Sequence, residues 1–262
     1  PAEYARLSRC AAEFDPRFVF WPEISLLGDV KTNAFFRNPV AELAREMNAF
    51  IGVGAKLNHA TDLDNFWNAY VLFDPAGEVA GEYHKMQPVQ FMKDGAPGSE
   101  YGLYRTPLGT LGVAICYDAD FSWISRETVR RGAEALVVPV YDGEHWGLRM
   151  RWQHVQAHVL RAVENGRYVL RPASSGPSMI IAPDGSITAR LDDMSIGVVT
   201  GRFGLRSALT PYTRLGWNLP RVCQVASLAL LVAACVRAWA ARVRRPKAPS
   251  PATQPDGVAS PV

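Results

Sequence analysis

The order of its apolar segments constrains the fold of this chain more than any other feature. From Phe18 to Arg171, short apolar runs of strand length alternate with stretches whose apolar residues recur at helical spacing. Such alternation is typical of α/β domains, in which helices cover a largely buried sheet. A chain of 262 residues, 48% of them apolar, is long enough to bury such a core. The sequence therefore predicts an α/β domain over most of its length.

Periodicity and turn residues together predict the individual elements. Helices are predicted at 4–14, from 38 or 39 to 50, at 122–131 and at 147–164. Strands are predicted at 18–21, 51–55, 67–73, 79–83, up to 106, and at 111–115, 135–139, 168–171, 179–182, 187–190 and 196–200.

The C-terminal region changes character. Val222–Val236 is an apolar run in which only Gln224 and Ser227 are polar, and Arg221 and Arg237 bound it. A bilayer core requires ~20 residues of helix, and flanking residues extend this run to 217–243. We expect a membrane-spanning helix there. The alternative is a buried C-terminal helix in a soluble oligomer.

Residues 244–262 are rich in proline and are expected to be disordered. Basic residues cluster where this tail meets the helix: Arg242, Arg244, Arg245 and Lys247. The positive-inside rule predicts that this cluster is cytoplasmic. The α/β domain then lies on the extracytoplasmic face of the cell membrane.

Charge and cysteine content exclude several classes of protein. The net charge is +3, from 28 basic and 25 acidic residues, and no basic stripe interleaved with aromatics crosses the first 210 residues, so no nucleic-acid partner is expected. The cysteines show neither CxxC spacing nor the density of a disulfide framework, so no zinc site or stapled fold is predicted. They are Cys10, Cys116, Cys223 and Cys235.

Three predicted strands end on a reactive side chain. These side chains are the carboxyl group of Glu23, the amine of Lys85 and the thiol of Cys116. Sites in α/β proteins assemble at strand ends, so the three groups are candidates to converge. Glu23 could take the thiol proton, and the charge of Lys85 would favour the thiolate and later an oxyanion.

Each residue alone is weak support, because a cysteine that ends an apolar strand is usually an inert core residue. The local sequences strengthen the case. WPEIS, GEYHKMQPV and GVAICYDADF resemble the three signature segments of the nitrilase (carbon–nitrogen hydrolase) superfamily, in the same order. The resemblance continues through DNFWNAYVLFDPAGEVAGEYHK, RRGAEALVVP, RAVENGRYVLRPASSG and LTPYTRLG. It covers nearly everything from Phe18 to Gly216, and the apolipoprotein N-acyltransferase branch is the most similar.

The resemblance implies a nitrilase-type α-β-β-α sandwich with two mixed sheets, followed by a transmembrane helix. The family domain opens with a strand that we do not find ahead of the first helix, so residues 1–216 are expected to be an N-terminally truncated catalytic domain. The resemblance further implies that Glu23 is the general base, Cys116 the nucleophile and Lys85 an oxyanion partner. The backbone N–H of Tyr117 would be the second oxyanion donor, and Asp118 stands where the branch has a glutamate.

One departure from the family pattern concerns a second glutamate, eight residues after the lysine. Lys93 occupies that position and Asp94 follows it. Either Asp94 takes the role of this glutamate after a shift of one residue, or Glu100 folds into the site and does so. If neither does, the fourth catalytic position is lost.

Four further residues are candidates for binding. Trp146 either belongs to the core or lines an acyl pocket. Glu164 is a candidate substrate contact, although with Arg161 it more readily pins the end of a helix. His154 and His158 stand one helical turn apart, but no third ligand is evident, and no metal site is predicted.

The leading hypothesis is a membrane-anchored acyltransferase. It forms a Cys116 thioester with a phospholipid acyl chain and passes that chain to an amine, either of a lipoprotein or of a small molecule. The alternatives are hydrolysis of a small amide or nitrile, and an inactive nitrilase-like binding domain. No cofactor is expected, and the sequence leaves the oligomeric state open.

Overall fold

The computed structural model describes residues 1–62, 64–216 and 218–243. Internal contacts divide the chain into two units, Pro1–Gly216 and Trp217–Val262. The boundary falls where the sequence predicts the catalytic domain to end. The predicted disordered tail, 244–262, lies outside the described residues, as does Trp217.

The first unit contains five α-helices and twelve strands within the described residues. The helices are α1 (Ala2–Cys10), α2 (Ala34–Met47), α3 (Ser122–Arg130), α4 (Gly147–Asn165) and α5 (Pro211–Leu215). The strands are β1 (Phe18–Phe20), β2 (Phe50–Asn58), β3 (Phe66–Phe73), β4 (Val79–His84), β5 (Gly102–Thr106), β6 (Gly109–Val113), β7 (Ala135–Val137), β8 (Val140–Tyr141), β9 (Val169–Arg171), β10 (Ala173–Ser174), β11 (Ser178–Ile181) and β12 (Ile187–Leu191).

Two mixed sheets form the centre of this unit. The first has the order β1-β2-β3-β4, with β1 parallel to β2 and the other pairs antiparallel. The second has the order β12-β11-β9-β7-β6-β5, in which β6, β7 and β9 are parallel. Strands β8 and β10 form a short parallel pair.

The sheets pack face to face with helices on both outer sides. Alternate residues of β2 face opposite ways, as strand geometry requires. Ile51 packs in the cluster that contains Leu43 of α2, whereas Phe50 packs in the cluster between the sheets, together with Val113. Helices α3 and α4 cover the second sheet. This arrangement is the predicted α-β-β-α sandwich with two mixed sheets.

Helix α2 begins earlier than the sequence predicts. The prediction that it opens at Asn38 or Pro39 is wrong, because Asn33 caps the helix by accepting a hydrogen bond from the N–H of Phe35. Pro39 lies inside the helix rather than at its start.

The predicted strand at 196–200 is also wrong. These residues have no regular secondary structure, and together with β1 they line an open groove of about 610 Å³. Their apolar pattern matches a strand, but a strand forms only where a neighbour accepts its hydrogen bonds. No neighbouring strand of the described residues pairs with them.

The second unit contains helix α6, Asn218–Val243. Its segment Pro220–Arg242 has a mean hydropathy of 1.8, and none of this segment is buried. By length and composition alone, this helix could cross a membrane.

Candidate active site

The three reactive side chains predicted from the sequence are all buried. Glu23 follows β1, Lys85 follows β4 directly, and Cys116 comes three residues after β6. Their exposed fractions are 4%, 1% and 3%, respectively. A buried carboxylate and a buried amine require partners, since an unpaired charge in a protein interior costs several kcal/mol.

Lys85 has two carboxylate partners. Its Nζ lies 2.8 Å from Oε1 of Glu23 and 2.7 Å from Oδ2 of Asp94. Burial acts to lower the pKa of Lys85, but the charges of Glu23 and Asp94 and the hydrogen bond to Asp94 outweigh it and hold the pKa above its ordinary value. The ammonium group therefore stays charged at neutral pH.

Asp94, and not Glu100, is the second carboxylate. Asp94 is buried, and its Oδ2 also accepts a hydrogen bond from the N–H of Val89 at 2.9 Å. Lys93 is exposed and donates to the carbonyl of Asp64 at 2.7 Å, while Glu100 is exposed. Of the two alternatives that the sequence leaves open, the structure shows the shift of one residue.

Asn68 of β3 connects the two carboxylates, and the sequence reasoning missed it. Its Nδ2 donates to Oε1 of Glu23 at 2.8 Å and to Oδ1 of Asp94 at 2.7 Å. The available signal was one amide in the apolar run FWNAYVLF, because a fully buried amide must find partners. Lys85 and Asn68 thus hold the same two carboxylates together.

The backbone of Tyr141 completes the surroundings of Glu23. Its N–H donates to Oε2 of Glu23 at 2.8 Å. Both carboxylate oxygens of Glu23 are therefore oriented by donors, and charge-assisted bonds of this kind hold geometry firmly. A carboxylate whose orientation is fixed in this way is suited to accept a proton from a donor held at one position.

Cys116 occupies a strained turn. Its φ angle is +49°, a left-handed conformation that side chains other than glycine seldom adopt. The N–H of Cys116 donates to the carbonyl of Pro139 at 2.9 Å, and its Sγ contacts the carbonyl of Tyr141 at 3.9 Å. The backbone of Tyr141 therefore contacts both the thiol and the carboxylate of Glu23.

The resting thiol is protonated, although the charge of Lys85 favours the thiolate as the sequence predicts. Burial and the charges of Glu23 and Asp142 raise the pKa of Cys116 well above its ordinary value, and the charge of Lys85 only partly opposes them. A protonated thiol must lose its proton during attack. This requirement assigns a base function to a nearby carboxylate, and Glu23 is suited to it.

Asp118 ties the cysteine turn to the segment after Lys85. Its Oδ2 accepts from the hydroxyl of Tyr83 at 2.8 Å and from the N–H of Ile115 at 3.0 Å, while Oδ1 accepts from the N–H of Gln87 at 2.7 Å. Burial raises the pKa of Asp118 to about 6, although the Tyr83 bond and the Lys85 charge oppose the shift. These contacts favour a positioning role.

Tyr117 follows the cysteine in the short 3₁₀ turn Cys116–Asp120. Its side chain is 37% exposed and lies edge-on to Phe121. In the part of the chain that the structure describes, the N–H of Tyr117 has no hydrogen-bond acceptor. It is therefore free to donate to an oxyanion, and the predicted role stays a prediction.

The two predicted substrate contacts have different surroundings. Trp146 is half-buried just before α4 and lies near His145. Glu164 forms an ion pair with Arg161 at 2.9 Å, and Arg161 also donates to the carbonyl of Ala119 in the cysteine turn. Burial raises the pKa of Glu164, with Arg161 opposing. These contacts indicate that Glu164 holds the end of α4 in place through Arg161. Substrate binding by Trp146 or Glu164 stays a prediction.

Asp120 is the third potential metal ligand that the sequence did not reveal. Ligand atoms of Asp120, His154 and His158 lie within 4.8 Å of one another. However, Arg171 donates to Nδ1 of His158 at 2.9 Å, and burial lowers the pKa of His158 well below its ordinary value. A neutral imidazole that accepts at Nδ1 carries its hydrogen on Nε2, where a metal needs a lone pair. The Arg171 donor at Nδ1 therefore opposes metal binding by His158, although the Nε2 atoms of His154 and His158 have no hydrogen-bond partner among the described residues.

The family model for carbon-nitrogen hydrolase matches residues 3–208, which is well over half of the chain. Two kinds of curated relative match as well. Deaminated glutathione amidase of Mus musculus is 29% identical over 217 residues, which cover 73% of this chain and 67% of the relative. Apolipoprotein N-acyltransferase of Mycolicibacterium smegmatis is 29% identical over 242 residues, which cover 84% of this chain and 40% of the relative.

The N-acyltransferase of Geobacter metallireducens is 27% identical over 260 residues, which cover 90% of this chain and 49% of the relative. The chain therefore spans less than half the length of these two acyltransferases and about two thirds of the amidase.

Solved structures share the fold. The Caenorhabditis elegans NitFhit protein superposes with a TM-score of 0.61 at 25% identity, covering 73% of this chain and 54% of that one. An amidase from Nesterenkonia sp. superposes with a TM-score of 0.65 at 19% identity, covering 84% and 86%.

Proposed function

This chain belongs to the carbon–nitrogen hydrolase family, and from that membership we propose that it is a membrane-anchored N-acyltransferase. In the proposal, Cys116 takes an acyl chain from a phospholipid as a thioester and passes it to an amine, such as the amino terminus of a lipoprotein. The clustering of Glu23, Lys85, Asp94 and Cys116 supports the shared chemistry of the family.

The share of this chain that each relative matches is the observation that favours an acyltransferase over an amidase. A match over 90% of this chain necessarily runs past Gly216 into helix α6. The amidase match covers 73%, which the first unit alone could supply. The similarity to N-acyltransferases thus includes part of the apolar helix that could anchor the enzyme beside a lipid substrate.

In the first step, Glu23 accepts the thiol proton as the sulfur of Cys116 attacks the carbonyl carbon of the acyl ester. The oxyanion that forms is stabilised by the Lys85 ammonium and by the N–H of Tyr117. When the intermediate collapses, the carbon–oxygen bond of the ester breaks. The departing alkoxide takes the proton from Glu23 and leaves as a lysophospholipid.

In the second step, the acceptor amine attacks the thioester carbon and loses a proton to Glu23. The carbon–sulfur bond then breaks, an amide forms, and the thiolate recovers the proton as Cys116 returns to the thiol. A thioester suits this route because it reacts readily with amines. Anchoring holds the enzyme at the surface that carries both substrates and raises their effective concentration.

The basic residues that follow the helix suggest its orientation. Arg242 lies at the end of α6, and further basic residues follow in the sequence. By the positive-inside rule, the catalytic unit would lie on the extracytoplasmic face of the cell membrane.

The proposal is tested by mass spectrometry on the full chain. We would incubate it with vesicles of palmitoyl-oleoyl phosphatidylethanolamine and phosphatidylglycerol, and then analyse the tryptic peptide that contains Cys116. We expect this peptide to gain the mass of one acyl chain, and to lose it when a peptide with a free amino terminus is added. The exposed Cys10 provides a matched control, because C10A should retain the adduct that C116A lacks. An unmodified Cys116 would contradict the proposal.

An amidase is the second candidate, favoured by the match to deaminated glutathione amidase over 67% of that protein. In that case water replaces the amine in the second step. Release of ammonia from butyramide by the full chain, without an acyl adduct from vesicles, would favour hydrolysis over acyl transfer. An inactive binding domain was suggested by Lys93, but the contact between Asp94 and Lys85 supplies the carboxylate whose loss that hypothesis assumes.

A further inference from the structure

A second buried ionic cluster lies next to the catalytic groups. Its centre is Asp142, whose side chain is fully buried. Oδ1 of Asp142 lies 2.8 Å from Nδ1 of His154, and Oδ2 accepts from Nη2 of Arg171 at 2.6 Å. Burial acts to raise the pKa of Asp142, but the hydrogen bonds from His154 and Arg171 and the charge of Arg171 outweigh it and hold the pKa below its ordinary value. The carboxylate is therefore ionised and held at both oxygens.

The residue before Asp142 contacts both reacting side chains. Tyr141 donates its N–H to Glu23 at 2.8 Å, and its carbonyl faces the thiol of Cys116. The N–H of Asp142 itself donates to the carbonyl of Ser174 at 3.1 Å. The backbone that aligns base and nucleophile therefore lies directly beside the residue whose side chain the cluster holds.

The same cluster also contacts the backbone of the nucleophile through His158. Arg171 donates to Nδ1 of His158 at 2.9 Å, and the backbone of Cys116 lies next to the His158 ring. Gly176 packs so closely on Asp142 that a side chain at that position would collide with the carboxylate. Little freedom of movement is left to the carboxylate.

We propose that Asp142, Arg171 and His154 form a positioning module that sets the Tyr141 peptide so that Glu23 can take the proton of Cys116. The module rests on the proposed cysteine chemistry, in its acyltransferase or its amidase form. None of its three side chains is assigned to contact the reacting carbonyl group.

Two effects of Asp142 on the cysteine have opposite signs, which makes the module testable. After burial and Glu23, the charge of Asp142 is a further cause of the raised pKa of Cys116. Removing that charge should make the thiol more acidic. The amide of D142N keeps one acceptor oxygen and loses the other, so the Tyr141 peptide is less firmly fixed and acylation should slow. General loss of packing would also lower the thiol pKa, because burial is its largest cause. D142N must therefore keep the urea midpoint of the wild type, and the variants of His154 test the module if it does not.

The test uses D142N in the full chain. Iodoacetamide alkylation of Cys116, followed against pH, reports the pKa of the thiol, and p-nitrophenyl butyrate reports acylation through the mass of the Cys116 peptide. Asp142 is faced by Arg171, His154 and, at longer range, Arg151 and Asp120, none of which the variant alters. We expect the alkylation pKa of Cys116 to fall, because a neighbouring negative charge is lost, and the acylation rate to fall roughly 10- to 100-fold.

A second pair of variants tests the module if D142N does not fold. H154N can still donate to Asp142 from the place of Nδ1, whereas H154A cannot. We expect H154A to lower the acylation rate roughly tenfold and H154N to recover most of it. An unchanged acylation rate in D142N, or equal rates in H154A and H154N, would overturn the module. If the wild-type protein is alkylated but never acylated, the proposed function fails. The alkylation rates of H154A and H154N at neutral pH then decide about the module, because alkylation also requires Glu23 to take the thiol proton.

Discussion

Two buried ionic clusters meet at the Tyr141 peptide, and they differ in their balance of charge. In the first, Lys85 holds two carboxylates, those of Glu23 and Asp94. In the second, Arg171 holds the single carboxylate of Asp142. The first cluster carries more negative than positive charge and can accept a proton. The second is balanced and is suited to fixing geometry, so the excess of carboxylate marks the cluster that performs chemistry.

The largest effect is expected from K85M, which removes the cation and keeps the length of the side chain. Two buried carboxylates then lose their partner, which should cost about 3–5 kcal/mol of unfolding free energy. Acylation of Cys116 should become undetectable, because the oxyanion donor is lost as well. Urea denaturation and the mass of the Cys116 peptide measure the two effects. The control is K31M, since Lys31 pairs with Glu82 at the surface, where a pair contributes about 1 kcal/mol or less. Equal stability of K85M and K31M would contradict the description of the first cluster.

A second variant, D94N, removes the negative excess and keeps the fold of its loop. Acylation should fall about 100-fold, because Lys85 loses one of the two carboxylates that fix its position. K93E is the matched control. It places a carboxylate where the family has one, but the side chain at 93 is exposed, so the rate should stay within about twofold of wild type. Rescue of D94N by K93E would show that the residue at 93 serves the site after all.

The third prediction concerns pH. The pKa of Asp118 is about 6 in the folded protein, against an ordinary value of 3.8 in an unfolded chain. The folded state therefore binds this proton more tightly than the unfolded state, so the contribution of Asp118 is fully present below about pH 4 and is lost as the pH rises towards 6. Relative to D118N, the wild type should lose about 2 kcal/mol of unfolding free energy between pH 4 and pH 7. Urea midpoints across this range measure the difference, and parallel curves would contradict the shifted pKa.

The smallest effect on the site is expected from a change in helix α6. L230R places a charge in the middle of the apolar segment, which should weaken insertion by about 2.5–3.5 kcal/mol. The fraction that resists carbonate extraction from vesicles should fall, while iodoacetamide alkylation of Cys116 should keep its rate. L230I is the matched control and should remain inserted. If L230R changes the alkylation rate of Cys116, helix and site are not independent.

The sequence by itself determined the fold class and the reactive residues. Alternating apolar segments predicted an α/β domain, because burial on one or both faces fixes which residues are apolar. The resemblance of three segments to the nitrilase superfamily implied the sandwich. The turn after each of three strands identified Glu23, Lys85 and Cys116, since reactive groups collect at strand ends. A single apolar run, uninterrupted by charge, likewise identified helix α6.

Only the tertiary structure decided which polar groups meet. The choice between Asp94 and Glu100, the bridging role of Asn68 and the cluster around Asp142 depend on contacts between distant parts of the chain. Tyr141 and Glu23, for example, are 118 residues apart. Local periodicity records which side of an element is buried, but hydrogen-bond partners are set by distances of about 3 Å that arise only when the sheets pack. The protonated state of Cys116 has the same origin, because burial and neighbouring charges belong to the folded protein alone.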